Sequence, residues 1–261
     1  MKYIYLYLFL SLIFNFSLSQ TTKLSEIDGS FAQIAVDKFG NIYSLQNNIL
    51  RKYDKQGKIL FSFSDRTKGN INHFDVSNTL KILVNFPDIM EIVFLDNTLS
   101  PSGNSVSLRN LNLFDVNTIC SGIDNSFWVY DIAGGKFIRF SYSVNQINKS
   151  GDIRLIASIA FNPVSMAETN MYLLAYDKNT GIIVLDRFAN HIKTITINEE
   201  NIKINNHGIF FIRDNKIISF DCEYLKETEL LMPKTNIVDY YCFPPFLLIQ
   251  DKEKLILYKI Y

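Results

Sequence analysis

The stretch Phe31–Phe63, FAQIAVDKFGNIYSLQNNILRKYDKQGKILFSF, holds four short apolar runs, FAQIAVD, NIYSLQ, ILRKYD and GKILFSF, parted by polar turns. Runs of this length, rich in Ile, Tyr and Phe and joined through Gly, Asn or Asp, are strands in hairpins rather than turns of helix. The second run returns along the chain as KILVNF, SFWVYD, MYLLAYD, GIFFIRD and FLLIQD. Aligned at Ile42, Ile82, Phe127, Met171, Ile209 and Phe246, the copies stand 40, 45, 44, 38 and 37 residues apart. The third run keeps step as MEIVFLD, KFIRFSY, IIVLDRF, KIISFD and KLILYKI. Short turns join each pair, among them Gln46-Asn47-Asn48, Ala133-Gly134-Gly135 and Asp214-Asn215.

Repeated four-stranded units of about 40–45 residues are what a β-propeller requires, because a single blade cannot bury both of its faces. Six copies predict an all-β, six-bladed propeller forming one domain over residues 20–261. The last copy has only three strands, and Lys23–Ile27, which precedes the first full copy without a partner, is expected to complete it and close the ring. A β-sandwich would not explain a strand triplet recurring six times. Met166–Tyr172 is the nearest approach to helical spacing.

Met1-Lys2 followed by the apolar run Tyr3–Leu18 and by Ser17-Leu18-Ser19 predicts a signal peptide over residues 1–19, with Gln20 the first mature residue. The run is short for a membrane span and no basic cluster follows it, so no transmembrane segment is expected in the mature chain. The composition agrees with a folded exported domain: 261 residues, 48% hydrophobic and 14% aromatic. With 26 basic against 26 acidic residues and no Lys/Arg-rich block, the electrostatics argue against nucleic acid as a partner. Cys120, Cys222 and Cys242 sit in or beside apolar runs and read as lone buried thiols, with a Cys222–Cys242 bridge as the competing reading.

The residues offer little chemistry. His73, His191 and His207 fall in different copies with no ligand spacing between them, and GxSxG, HExxH and P-loop patterns are missing. The turns at Asp37–Asn41, Asp54–Gly57 and Asp177–Gly181 lack the oxygen set of a calcium loop and read as Asp-initiated turns with Gly accepting positive φ. No cofactor and no metal is expected. The lone Trp128 reads as a core aromatic. The segment Asp96–Leu113 is long and rich in turn formers, so it is either an insertion that carries function or, through Val106–Leu111, the outer strand of the second blade.

Val36–Leu60 resembles the NHL-type propeller repeat, an Asp-x-x-Gly-Asn turn entering an aromatic strand. The resemblance implies a six-bladed fold, shared by scaffolds, sensors, lyases and lactonases, and fixes no activity. Phe74–Ser100, FDVSNTLKILVNFPDIMEIVFLDNTLS, with SFWVYD at Ser126–Asp131, is similar to a family of exported propellers from Gram-negative bacteria with type IX secretion. Thr79 stands where that pattern has Pro. The likeness extends to plug subunits that sit against a translocon barrel. It implies a non-enzymatic, monomeric protein-binding module in the periplasm or at the periplasmic face of the outer membrane, with no sorting domain after the last blade. Its contacts would be Asn78, Thr79, Phe86, Pro87, Asp88, Asp96 and Asn97 on one ring face. The alternative is a lactonase-like, ligand-binding or metal-dependent hydrolytic propeller. Its axial ligands would come from Asp37, Asp75, Asp124, Asn205 and Asp239.

Overall fold

The computed structural model describes residues 21–197, 199, 201–230 and 237–260. The signal segment and its cleavage position lie outside them. Strand β1 (Thr21–Asp28) leads into blade 1, built of β2 (Gln33–Val36), β3 (Ile42–Gln46), β4 (Ile49–Tyr53) and β5 (Ile59–Phe63). Blade 2 is β6 (His73–Asp75), β7 (Ile82–Phe86), β8 (Glu91–Leu95) and β9 (Val106–Ser107). Blade 3 is β10 (Val116–Gly122), β11 (Ser126–Asp131), β12 (Lys136–Ser141) and β13 (Gln146–Lys149). Blade 4 is β14 (Ser165–Glu168), β15 (Leu173–Asp177), β16 (Gly181–Leu185) and β17 (His191–Ile195). Blade 5 is β18 (Lys203–Asn205), β19 (Gly208–Arg213), β20 (Lys216–Asp221) and β21 (Lys226–Leu230). In blade 6, β22 (Asp239–Phe243), β23 (Phe246–Gln250) and β24 (Lys254–Ile260) are completed by β1 as the outermost strand.

The fold is therefore a six-bladed β-propeller, and β1 closes it by pairing antiparallel with β24 from Thr21↔Ile260 to Asp28↔Lys254. Every second and third run of the sequence repeat is the second and third strand of a blade. The hairpin turns have the expected chemistry. Asn47-Asn48, Asp124-Asn125 and Asp214-Asn215 all adopt positive φ at both residues, the twist a two-residue loop needs between right-twisted strands. Asp37 accepts from the Phe39 and Asn41 amides, and Gly40 at φ 83° completes that turn.

The core is divided among the seams between blades. Six hydrophobic clusters lie one per seam, from the Tyr43, Leu50, Phe74 and Phe86 cluster between blades 1 and 2 to the Val36, Ile42, Leu255 and Leu257 cluster that joins blade 6 back to blade 1. Both faces of a blade pack on a neighbour, so second strands are buried along most of their length, as in β23, where every residue is buried. Each buried Leu, Ile or Phe contributes roughly 1.5–3 kcal/mol. Outer strands face solvent, with polar sequences such as KETEL in β21 and QINK in β13, while β5 of blade 1 exposes the apolar Ile59, Leu60 and Phe61.

Side chains also clasp backbone across the seams. The Gln33 amide donates to the Phe74 carbonyl and accepts from its N–H at 2.8 and 3.1 Å. Gln250 does the same to Phe31 across the closing seam, at 3.3 and 3.1 Å. Asp75 accepts from the Ser121 N–H, and Asn205 donates to the Cys242 carbonyl.

Trp128 is fully buried between blades 3 and 4. Cys120, Cys222 and Cys242 are free thiols, so the Cys222–Cys242 bridge is not formed. Helical spacing at Met166–Tyr172 proves misleading: Ser165–Glu168 is the inner strand of blade 4, because tertiary pairing with β15 overrides a weak local pattern. Val106–Leu111 is split between the two-residue outer strand β9 and a 3-10 turn at Arg109–Leu111.

Candidate functional site

A propeller has two ends. At one, called here the exit end, the inner strands finish and the loops from first to second and third to fourth strands emerge. At the entry end the inner strands begin, and the hairpins between second and third strands sit with the inter-blade connections.

This alternation separates the seven residues expected to form one patch. Asn78, Thr79, Asp96 and Asn97 lie at the exit end, in loops 76–81 and 96–105, while Pro87 and Asp88 lie at the entry end in the turn between β7 and β8. Phe86 is buried in the seam with blade 1, edge-on to Phe63, and offers no surface. Asp96 is occupied as a turn anchor, accepting from the Thr98 and Ser100 amides and from the Thr98 hydroxyl, bonds that hold its carboxyl below the usual range. Asp88 likewise accepts from the Asn70 amide.

The five residues considered as axial ligands are not assembled either. Asp37 is buried and takes four donors of its own blade, from Phe39, Asn41 twice and the Tyr43 hydroxyl. Asp75 is held by Ser77 and Ser121, and Asn205 by Cys242 and His207. Asp124 is exposed and paired with Arg187 at 2.7 Å. Asp239 begins its strand rather than ending it, so it sits at the entry end, 2.5 Å from Lys203. Among the described residues no three His, Cys, Asp or Glu converge as metal ligands. The histidines are scattered: His73 against Gln33, His191 against Thr194, and His207 with its ring 3.9 Å from that of Phe243.

The exit end is nevertheless organised. A cavity of about 370 Å³ opens there, lined by the ends of inner strands and by Lys38, Asn78, Thr79 and Asn125. Its deepest titratable group is Glu168, whose side chain is fully buried at the last position of β14. Glu168 Oε2 accepts from the Ile123 N–H at 2.7 Å and lies 3.8 Å from the Arg139 guanidinium. Burial pushes the carboxyl above its ordinary range, and the Ile123 N–H, Arg139 and the Trp128 indole oppose that rise. Arg139 is fixed in turn by Ser126 Oγ at 2.8 Å, by the Ile123 carbonyl at 2.6 Å and by the face of Trp128 at 5.6 Å. Gly122 makes room for this arrangement, since a Cβ there would stand 2.3 Å from Ser126 Oγ and 2.9 Å from Glu168 Oε2.

Seven large apolar side chains project from exit-end loops: Phe39, Leu80, Val144, Met171, Phe188, Tyr224 and Leu225. They are spread over blades 1 to 5, and Phe39, Leu80, Phe188 and Tyr224 are 61–75% exposed. The entry end exposes Phe114, Leu155, Ile156, Val164 and Val238, crowded mainly between blades 3 and 4. A larger cavity of about 720 Å³ opens at that end, with Lys203, Asp239, Glu199 and His73 on its wall. None of the exit-end apolar tips was legible as a contact, because isolated apolar residues in turns look the same in sequence whether they point inward or out. Glu168 lay inside the run nearest to helical spacing, where nothing marked it as the end of an inner strand.

Among the described residues no helix is long and apolar enough to cross a membrane. No protein-family model and no curated protein sequence matches the chain. Solved structures do. The WD40 domain of Neurospora crassa Pan2 aligns with a TM-score of 0.61 at 10% identity, over 92% of this chain and 95% of that one. A streptogramin B lyase aligns at 0.59 and 13% identity, over 93% and 98%. BBS1N, solved in complex with ARL6DN, aligns at 0.51 and 8% identity, over 88% and 78%. Identities this low carry the fold and no more: the chain shares the β-propeller architecture with a WD40 domain, a lyase and a protein solved in complex with another.

Proposed function

We propose that this chain is a non-enzymatic, exported protein-interaction module that docks a partner on the exit end of its ring. The ring of seven exposed apolar loop tips carries the reading. Scattered apolar residues are ordinary on a soluble surface, but a set distributed over five adjacent blades at one end of a rigid ring offers the centre of an interface. Asn78, Thr79, Asp96 and Asn97 add polar groups to the same end in the loops of blade 2. The resemblance of Phe74–Ser100 to exported propellers points to the partner class, an outer-membrane translocon barrel against whose periplasmic mouth the propeller would sit as an accessory or plug subunit. Binding would be by rigid shape complementarity, since strongly hydrogen-bonded turns such as Asp96–Ser100 hold the loops in place.

The test is affinity recovery of a C-terminally tagged copy from gently solubilised envelopes. The reading expects one large outer-membrane barrel in stoichiometric yield. Leu80→Asp with Phe188→Asp should abolish that recovery without lowering the melting temperature, and Leu155→Asp at the entry end should leave it intact. A chain that comes back alone, or a double variant that still recovers the barrel, overturns the proposal.

A further inference from the structure

The outer strand of each blade is the free edge of its sheet, and its outward N–H and C=O groups pair with no other described strand. Five of the six edges are guarded. Charged residues stand on β1, β13, β17 and β21, for example Glu26, Lys149, Lys193 and Glu227, and β9 is only two residues long. β5, of sequence ILFSF, has neither a charge nor a proline. Ile59, Leu60 and Phe61 follow one another on it at 55%, 40% and 38% exposure. On β13 and β17 the exposed Ile147 and Ile192 stand singly between polar neighbours. The register shift at Lys52 and Tyr53 does not set this edge apart, since blades 3 and 4 have one between their third and fourth strands too.

β5 is also held in place. Phe63 anchors its end in the seam between blades 1 and 2, Asp54 fixes the turn before it through the Lys58 amide, and Asp65 fixes the turn after it through the Thr67 amide. What fits such an edge is another strand, because an extended backbone supplies donors and acceptors at the matching spacing. The flanking charges select which strand. Lys58 precedes β5, and Ser64 and Asp65 follow it. Antiparallel pairing with β5 of a second copy, about a two-fold axis at Phe61, brings the Lys58 end of each strand to the Ser64-Asp65 end of the other. Parallel pairing would set Lys58 against Lys58. At the centre Phe61 meets Phe61, and cross-strand aromatic and opposite-charge pairs are those that stabilise an antiparallel ladder. The edge is thus complementary to itself, as a two-fold contact requires.

We propose that two copies of this chain associate side by side through antiparallel pairing of their β5 strands, joining two four-stranded blades into one eight-stranded sheet. The dimer is closed, because each chain has one such edge. It departs from the monomer that the family resemblance implies. It leaves both ends of each ring free, so it stands or falls independently of docking at the exit end.

Analytical ultracentrifugation of the purified chain tests it, with hydrogen exchange of the backbone amides of residues 59–63 measured across the same concentrations. A reversible monomer–dimer equilibrium is expected, with exchange at 59–63 slowing as dimer forms. Leu60→Lys, which restores a guarding charge at an exposed position, should weaken the dimer at least tenfold. Its melting temperature should match that of the parent at a concentration where the parent is monomeric. Ile192→Lys on β17 should dimerise like the parent. A parent chain that stays monomeric up to about 100 μM, where even a small interface associates, overturns the proposal. So does a dimer that survives Leu60→Lys, or one that forms with no change in exchange at 59–63. A chain monomeric by itself whose Leu60→Cys variant cross-links to a different protein in the envelope would assign the edge to that protein's strand, and likewise overturns pairing with a second copy.

Discussion

At the scale of single residues, the polar side chains that matter are those the ring draws away from bulk water. His73, half-buried on the wall of the entry-end cavity, is the clearest titrating example. Burial lowers its pKa below the ordinary 6.5, with Asp75 opposing, while Gln33 bonds its Nδ1 at 3.2 Å. A base whose folded pKa is depressed gives stability that is complete above the unfolded value. As pH falls below 6.5 the unfolded chain takes up the proton first, and stability is lost until the folded pKa is passed. Urea-unfolding free energies measured from pH 7.5 to about pH 5 should therefore fall less steeply in His73→Asn than in the parent chain. Glu168 acts in the opposite sense, because a raised carboxyl pKa favours folding at lower pH, but that contribution is common to both proteins and cancels. Equal slopes would show that His73 is not the group that titrates.

At the scale of elements, the blades are alike in strand order and differ in how their seams are clasped. Gln250 illustrates what a seam contact is worth. It is buried on β23 and satisfies both backbone groups of Phe31 on the far side of the closing seam. Gln250→Leu keeps the volume but strands an N–H and a carbonyl, so it should cost about 1–3 kcal/mol in denaturant midpoint with an unchanged slope. The control is Gln146→Leu on the exposed outer strand β13, expected within about 0.5 kcal/mol of the parent. Similar effects of the two would deny the clasp a role. Apolar second and third strands were readable because both their faces are buried. Outer strands such as KETEL were not, since a solvated edge strand has the composition of a loop.

At the scale of the whole molecule, closure is the decisive event. Six seams each bury a hydrophobic cluster, and the sixth joins blade 6, completed by β1 on β24, back to blade 1. Leu24 and Ile27 of β1 pack on that cluster, so the strand adds core as well as hydrogen bonds. Deleting residues 21–28 should expose the edge of β24, lower the melting temperature and produce concentration-dependent association in light scattering. A truncated chain that stayed monomeric with the parent melting curve would refute the closing role. The same large-scale geometry governs function. Antiparallel alternation sends Asn78 and Asp96 to one end and Asp88 to the other, although all three lie within one blade.

The linear chain was enough to determine the strand repeat, the number of blades, the closing strand and the chemistry of the turns, because these rest on period, local φ preferences and short-range hydrogen bonds. The site was decided only by the tertiary structure. Which loop tips face solvent, and which residues of blades 3, 4 and 5 line one cavity, depends on bringing together residues as far apart as Ser121 and Asn206. No local pattern encodes that meeting, since it is produced by the rotation from blade to blade around a closed ring.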